Sequence, residues 1–142
     1  MTSDNYHELA AFRLALRRFT SLTDSNARQA GLTPQQHQAL LSIKGAHPGR
    51  EEISIGELAD HLLLKNHSAV ELTDRLVKAG LVARAPSPHD RRRVLLRLTA
   101  QGEALLDRLS AASLIELRVS SEIMRAFVAL AGASSDDEKA SS

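Results

Sequence analysis

Apolar side chains recur at steps of three and four along the N-terminal part of the chain. This spacing predicts an amphipathic helix over residues 5–29, whose apolar side is formed by Leu9, Phe12, Leu16, Phe19 and Leu22. Gly31 ends this helix or the turn after it. Because the apolar side of such a helix is stable only when it is covered, we expect another surface to pack against it.

Two capping boxes predict where the next two helices begin. Thr33-Pro34-Gln35-Gln36 places a capping threonine before a proline that suits the first helical position, and Gly45 marks the end of that helix. Ser54-Ile55-Gly56-Glu57 repeats the capping pattern and opens a short helix that runs to about His61.

A helix-turn-helix is predicted from the second box onward. Residues 62–65 form the expected turn, and a third helix runs from about Asn66 to Ala79. Gly80 can end this helix in a left-handed conformation. The inward side of the helix is marked at steps of three and four by Ala69, Leu72 and Leu76.

The hydrophobic pattern then changes from that of a helix to that of a strand. Residues 81–84 and 94–98 are predicted as two short strands, joined by a turn-rich tip at residues 86–90. Thr99 can cap a following helix. The buried positions that we expect in the C-terminal helices are Leu105, Leu109, Ala112, Ile123, Phe127 and Leu130.

Charge and composition narrow the function classes. The formal net charge is only +1, but residues 62–99 hold eight Lys and Arg residues against three acids and therefore carry +5. A basic segment in an otherwise acidic chain is typical of a nucleic-acid-binding surface, although a solvated charged face has the same composition. The absence of cysteine excludes a disulfide scaffold and a thiol redox switch. We see no signal peptide and no membrane-length apolar run, so we expect a cytoplasmic protein without a membrane partner.

The order of elements predicts a mainly α-helical (α+β) fold, a winged helix-turn-helix with a two-stranded wing. We expect the 142 residues to form a single domain with a DNA-binding lobe at 32–99. The terminal helices, at 5–31 and 100–131, carry more apolar surface than one small domain covers, which predicts that they dimerise with a second copy. Residues 132–142 are expected to form a flexible acidic tail.

The third helix is the first expected contact with double-stranded DNA. A helix fits the major groove, and the free backbone N–H groups at its start favour phosphate. The contact residues expected on this helix and at its start are Lys65, Asn66, His67, Ser68, Val70, Glu71 and Arg75.

The wing tip is the second expected contact, because three consecutive arginines follow Asp90 there. Arginines at such a tip can enter a narrow minor groove. Alternation along a strand would place Arg91 and Arg93 on one face and Arg92 on the other. We expect Asp90 to hold one arginine in a fixed pose through a bidentate pair.

Several segments match one known pattern. They are Leu32-Thr33-Pro34-Gln35-Gln36, residues 54–59 and residues 72–82, followed by Asp-x-Arg and then Leu-Thr-x-x-Gly at Asp90, Arg92, Leu98, Thr99 and Gly102. Together they resemble the multiple antibiotic resistance regulator (MarR) family of winged helix-turn-helix regulators, and the resemblance covers nearly the whole chain.

The resemblance implies properties that spacing alone does not. It implies a homodimer with interlocking terminal helices, bound to a pseudo-palindromic operator as a repressor and released by a small aromatic or acyl carboxylate. It also implies that Arg92 is the minor-groove arginine and that Asp90 orients the wing. Glu71 departs from the basic or small polar residue that is common in the family. An acid there repels phosphate, although it could accept from a cytosine amine.

The candidate residues for an effector pocket lie on the first two helices, and they are Phe12, Phe19, His37 and Leu40. Phe12 and Phe19 suit a core or a dimer interface equally well. His37 is either a satisfied, half-buried histidine or a partner for an acidic effector.

Two other functions remain open at this point. Six histidines allow a metal-responsive regulator, but no ligand spacing such as His-Glu-x-x-His occurs, so we expect neither a metal nor a cofactor. The second alternative is a winged-helix module that contacts only proteins, which would not need the arginine cluster. An enzyme is not expected, because the sequence has no nucleophile motif, phosphate loop or paired-carboxylate signature.

Overall fold

The computed structural model describes residues 1–112, 121, 125, 126 and 128–132, and five helices and three short strands lie within residues 1–112. In chain order they are α1 (Ser3–Gln29), α2 (Pro34–Gly45), β1 (Glu52–Ser54), α3 (Ile55–Leu62), α4 (Asn66–Lys78), β2 (Val82–Pro86), β3 (Val94–Leu98) and α5 (Ala100–Ala112). The chain divides into two compact units, Ala27–Ala111 and a second that joins Met1–Asn26 to the described residues from 112 onward.

Both predicted capping boxes are confirmed. At α2, the backbone N–H of Gln36 donates to Thr33 Oγ1 over 3.1 Å, and the N–H of Thr33 donates to Gln36 Oε1 over 2.9 Å. At α3, Ser54 and Glu57 make the same reciprocal pair. The two helices therefore begin where the sequence places them.

The unit Ala27–Ala111 has one hydrophobic core, to which α2, α3, α4, α5 and the sheet all contribute. Its largest buried apolar side chains are Leu40, Ile43, Ile53, Leu58, Leu76 and Leu96. The inward positions expected on α4, Ala69, Leu72 and Leu76, are confirmed. Thr73 is also fully buried, because its hydroxyl donates to the carbonyl oxygen of Ala69 over 2.8 Å and so needs no water.

The sheet has three strands in the order β1-β3-β2, all antiparallel. The sequence predicted the two wing strands and missed β1, which pairs Ile53 with Leu96. β2 begins one residue later than predicted and extends to Pro86, which was expected in the tip. A proline is compatible with this place because β2 is an edge strand and needs no N–H on its open side.

The start of α5 packs closely against the turn that follows α4, at Gly80 and Leu81. Thr99 caps α5 as predicted, since its hydroxyl oxygen accepts from the N–H of Gly102 over 3.0 Å. Leu109 is buried as expected and Leu105 is half-buried against the core, whereas Ala112 is exposed, so one of the three positions expected to be buried on α5 is wrong. The fully buried side of α5 is formed by Gly102, Leu106 and Leu109.

The unit that contains Met1–Asn26 presents the apolar side of α1. Leu9, Leu16 and Leu22 keep 41%, 37% and 38% of their surface exposed. Ile123 and Phe127, expected to be buried, and residues 133–142 of the expected tail lie outside the described residues. Among the helices that are described, none is long and apolar enough to cross a membrane.

Candidate nucleic-acid interface

The N-terminus of α4 is open, in contrast to those of α2 and α3. Its N-cap residue is Lys65, whose side chain makes no capping hydrogen bond. Counting from the start of α4, the first backbone N–H with a hydrogen-bond partner among the described residues is that of Ala69, which donates to the carbonyl oxygen of Lys65 over 3.1 Å. The N–H groups of the preceding turn are therefore available to an anion, and the positive end of the helix dipole favours one.

The remaining predicted contact residues lie along the same helix. Asn66, His67, Glu71 and Arg75 are exposed, whereas Ser68 and Val70 are half-buried. All six are therefore at least partly accessible to a ligand. The adjacent Asp74 is paired with Arg84 of β2, which neutralises an acid that would otherwise repel phosphate.

The wing tip, residues 87–93, is a closed turn. The N–H of Ser87 donates to the carbonyl of Arg93 over 3.0 Å, and the N–H of Arg93 donates to the carbonyl of Asp90 over 3.0 Å. Arg91 and Arg92 therefore lie in the turn and not in β3, so the strand alternation predicted for the three arginines is wrong.

Asp90 holds the tip through the backbone. Its Oδ1 accepts from the N–H of Arg92 over 3.0 Å, and its own N–H donates to Ser87 Oγ over 3.4 Å. The predicted bidentate pair between Asp90 and an arginine does not occur among the ion pairs of the described residues. An aspartate in a turn bonds the backbone two residues on more readily than a mobile guanidinium.

The three wing arginines have different environments. Arg91 and Arg92 are exposed, and the described part of the chain gives neither of them an ion pair. The third, Arg93, turns back to α3, where its Nη2 donates to Glu57 Oε1 over 3.1 Å and to Ser54 Oγ over 3.3 Å. Two cations, and not three, are thus left unpaired at the tip.

The Glu57 carboxylate joins three segments of the fold. Oε1 accepts from Arg93 and from the N–H of Ser54, while Oε2 is contacted by His47 Nε2 and lies 3.6 Å from Arg50 Nη2. Burial alone would raise the pKa of Glu57, but the hydrogen bonds from His47 and Ser54 outweigh it and lower the pKa below its ordinary value. We call Glu57 and these four partners the Glu57 cluster. The sequence could not indicate it, because Arg93 lies 36 residues from Glu57 in the chain.

A cleft of about 500 Å³ lies between α3, α4 and the wing. Its lining includes Ile55, Asn66, Val70, Arg92 and Arg93. The start of α4 and the wing arginines therefore face a common space, as an interface with a single ligand requires.

The four candidate effector residues differ in how accessible they are to a ligand. Leu40 has no accessible surface because it lies in the hydrophobic core, so a ligand cannot touch it in this conformation and its assignment is wrong. Phe12, Phe19 and His37 are half-buried. No group of three or more His, Asp or Glu side chains that could hold a metal ion occurs in the described part of the chain.

Comparison with known proteins agrees with this geometry. Residues 30–93, which run from the end of α1 to the wing tip, match the model of the MarR family. Over this segment the chain is similar to the MarR family. E. coli MarR in complex with operator DNA is 26% identical and superposes with a TM-score of 0.63, over 80% of this chain and 76% of that one.

Two further proteins extend the comparison. The transcriptional regulator FarR of Neisseria gonorrhoeae is 36% identical over 81 residues, which are 56% of this chain and only 51% of FarR. NadR in complex with 4-hydroxyphenylacetate shares the fold, with 24% identity and a TM-score of 0.67 over 96% of this chain and 92% of NadR. The chain thus spans about half the length of FarR and nearly all of the NadR fold.

Proposed function

We propose that this protein is a MarR-family regulator that binds double-stranded DNA as a homodimer and represses transcription from a pseudo-palindromic operator, from which a small aromatic or acyl carboxylate releases it. Residues 32–99 contact DNA, and the helices at 5–31 and 100–131 form the dimer. In this assignment α4 reads the major groove and Arg92 enters the neighbouring minor groove.

The observation that carries the proposal is the shared cleft. Unpaired Arg92 and the open start of α4, represented by Asn66, line the same space. A duplex seated there would meet cations at the tip and free N–H groups at the helix start, both of which bind phosphate. The operator complex of E. coli MarR supports the same assignment.

The first experiment selects duplexes from a random pool and measures their affinity at several salt concentrations. Arg92→Ala should weaken binding to the selected duplex by about 1–3 kcal/mol and flatten the dependence on salt. Arg97→Ala is the matched control, because Arg97 is exposed on β3 away from the tip and carries the same charge. If both variants lose the same affinity, Arg92 has no special contact. A wild-type protein that binds no duplex would instead favour a module for protein contacts.

Asp90 gives a second test of the wing. Asp90→Ala removes the acceptor for the Arg92 N–H and should weaken binding, although it also removes a negative charge near phosphate. Asp90→Asn keeps an acceptor oxygen and should bind nearly as well as the wild type. Tighter binding by Asp90→Ala would mean that Asp90 is only a repelling charge.

The homodimer rests on exposed apolar side chains of α1: Leu9 and Leu16 lie about two turns apart on one face, and Leu22 is exposed further along the helix. A contiguous exposed apolar face marks an interface, and two-fold pairing closes it. Light scattering at micromolar concentration should therefore give twice the chain mass. A monomer would exclude this part of the proposal.

The effector is tested by release from the selected duplex. Benzoate-type acids, 4-hydroxyphenylacetate and medium-chain fatty acids are the probes, because they sample aromatic and acyl carboxylates. The active probe should lower DNA affinity and raise the melting temperature of the free protein, since it binds the DNA-free state better. With no cysteine in the chain, reversible release by peroxide in place of these acids would refute the idea.

A further inference from the structure

We propose that Glu57 is a positioning residue of the wing. By binding the guanidinium of Arg93, Glu57 prevents Arg93 from contacting DNA phosphate. This inference rests on the proposed DNA-binding function and adds a role that the wing motif does not contain. Glu57 completes the capping box of α3, which accounts for a hydrogen-bond acceptor at this position. The capping box of α2 is completed by the uncharged Gln36, so the cap does not require a charged residue. The charge at residue 57 therefore serves something other than the cap.

The geometry leaves Arg93 little freedom. Its N–H and its carbonyl are both hydrogen-bonded within the wing tip, to Asp90 and Ser87. With the backbone fixed, the side chain extends to α3, where Glu57 Oε1 and Ser54 Oγ accept from the same Nη2. The guanidinium thus lies at the wall of the cleft and is neutralised there by a carboxylate.

The carboxylate can hold this cation because it is itself fixed. His47 and Arg50 contact its other oxygen, so the charge does not swing away from α3. Arg93 remains about half exposed at 54%, and the pair is therefore open to competition by another anion. A phosphate in the cleft competes with Glu57 for the same guanidinium, and the outcome is set by the charge at residue 57.

The test uses Glu57→Gln, which keeps an acceptor for the cap but removes the charge. A random-sequence duplex suffices, because a phosphate contact carries no sequence information. Freed Arg93 should add about one phosphate contact per protomer, so the log-salt slope of a dimer should steepen by about two. On lowering the salt from about 200 mM to about 50 mM, the variant should therefore gain roughly tenfold in affinity relative to the wild type.

Asp60→Asn is the matched control. Asp60 is an exposed acid on the same helix and lines the same cleft, but it has no ion pair among the described residues. If Glu57 acted only as a nearby negative charge, both variants would steepen the slope by the same amount. A larger effect of Glu57→Gln is expected, and equal effects would overturn the inference.

A double-mutant cycle identifies Arg93 as the group released. Arg93→Gln alone should change the slope little, because this arginine is already neutralised, whereas in Glu57→Gln it should remove the gain. A gain that persists in the double variant would refute the inference. Thermal melting confirms that each variant is folded. If the wild type binds no duplex at any salt concentration, the proposed function fails as well. If it binds but the slopes agree, only the role of Glu57 fails.

Discussion

A single methyl group at Gly102 should destabilise the fold, although alanine is the better helix former. A Cβ atom there would lie 2.1 Å from the carbonyl oxygen of Leu81 and 3.0 Å from its carbonyl carbon. That oxygen is held in place, because it accepts from the N–H of Thr99 over 3.0 Å. Both partners are backbone, so no flexible side chain can move aside.

The expected loss of stability combines two destabilising effects with one stabilising effect. A carbon atom and a carbonyl oxygen normally stay about 3.3 Å apart, so α5 and Leu81 must separate by about 1 Å. Overpacking of this kind costs about 1–3 kcal/mol, and weakening of the Thr99 hydrogen bond costs about 1 kcal/mol more. Alanine recovers about 1 kcal/mol through helix propensity. We therefore expect Gly102→Ala to lower the free energy of unfolding by about 2 kcal/mol, or the melting temperature by about 8 °C.

Denaturant unfolding followed by circular dichroism measures this loss. Gly45→Ala is the matched control, because Gly45 is also helical but an added Cβ would meet nothing within 4 Å. The control should be neutral or slightly stabilised. If Gly102→Ala is as stable as the control, the close approach of α5 to Leu81 is not a feature of the folded protein.

Three further outcomes test other parts of the fold. Gly80→Ala should lower the free energy of unfolding in urea by about 1 kcal/mol, because Gly80 has a φ of +76°. An added Cβ would meet only the flexible end of Gln101, so an unchanged free energy would mean that the turn is not left-handed. Thr33→Ala should lose about 1 kcal/mol through the capping box, whereas Thr33→Ser should lose less; equal losses would assign the effect to the methyl group. Because the pKa of Glu57 is lower in the folded protein than its ordinary value of 4.5, its contribution to stability is complete above that value and is lost as the pH falls through the folded pKa. Unfolding measured from about pH 6 down to about pH 3.5 should thus show a smaller loss in Glu57→Gln than in the wild type, and parallel losses would contradict the lowered pKa.

The elements that the sequence predicted are those with local signals. Capping boxes join residues three apart, and the amphipathic pattern of α4 repeats within one helix, so both can be read without knowing the fold. β1 gave no such signal, because three residues are too short for a period and one of them, Ser54, already belongs to a cap. Its pairing with β3 depends on a partner more than forty residues away.

The candidate site shows the same division. The arginine run and Asp90 are contiguous, so the wing could be found from the sequence alone. The different environments of Arg92 and Arg93 could not be found in this way, because they depend on Glu57 of α3, which is distant in the sequence. Leu40 was wrongly assigned to an effector pocket, because an apolar residue on an amphipathic helix suits a hydrophobic core and a ligand pocket equally well. Its complete burial in the structure shows that it belongs to the core.

The central place of β3 has a consequence for which insertions the wing accepts. β3 is paired along both edges, and its neighbour β1 continues directly into α3 at Ser54. One added residue within β3 would turn every following side chain to the opposite face and would displace the entry to α3. Added residues between Ser87 and Arg92 would rearrange the hydrogen bonds of the tip but would leave the strands and the entry to α3 in place. Relatives of this protein should therefore vary in loop length at the tip while keeping the length of the strands, because insertions at the tip do not require the lobe to refold.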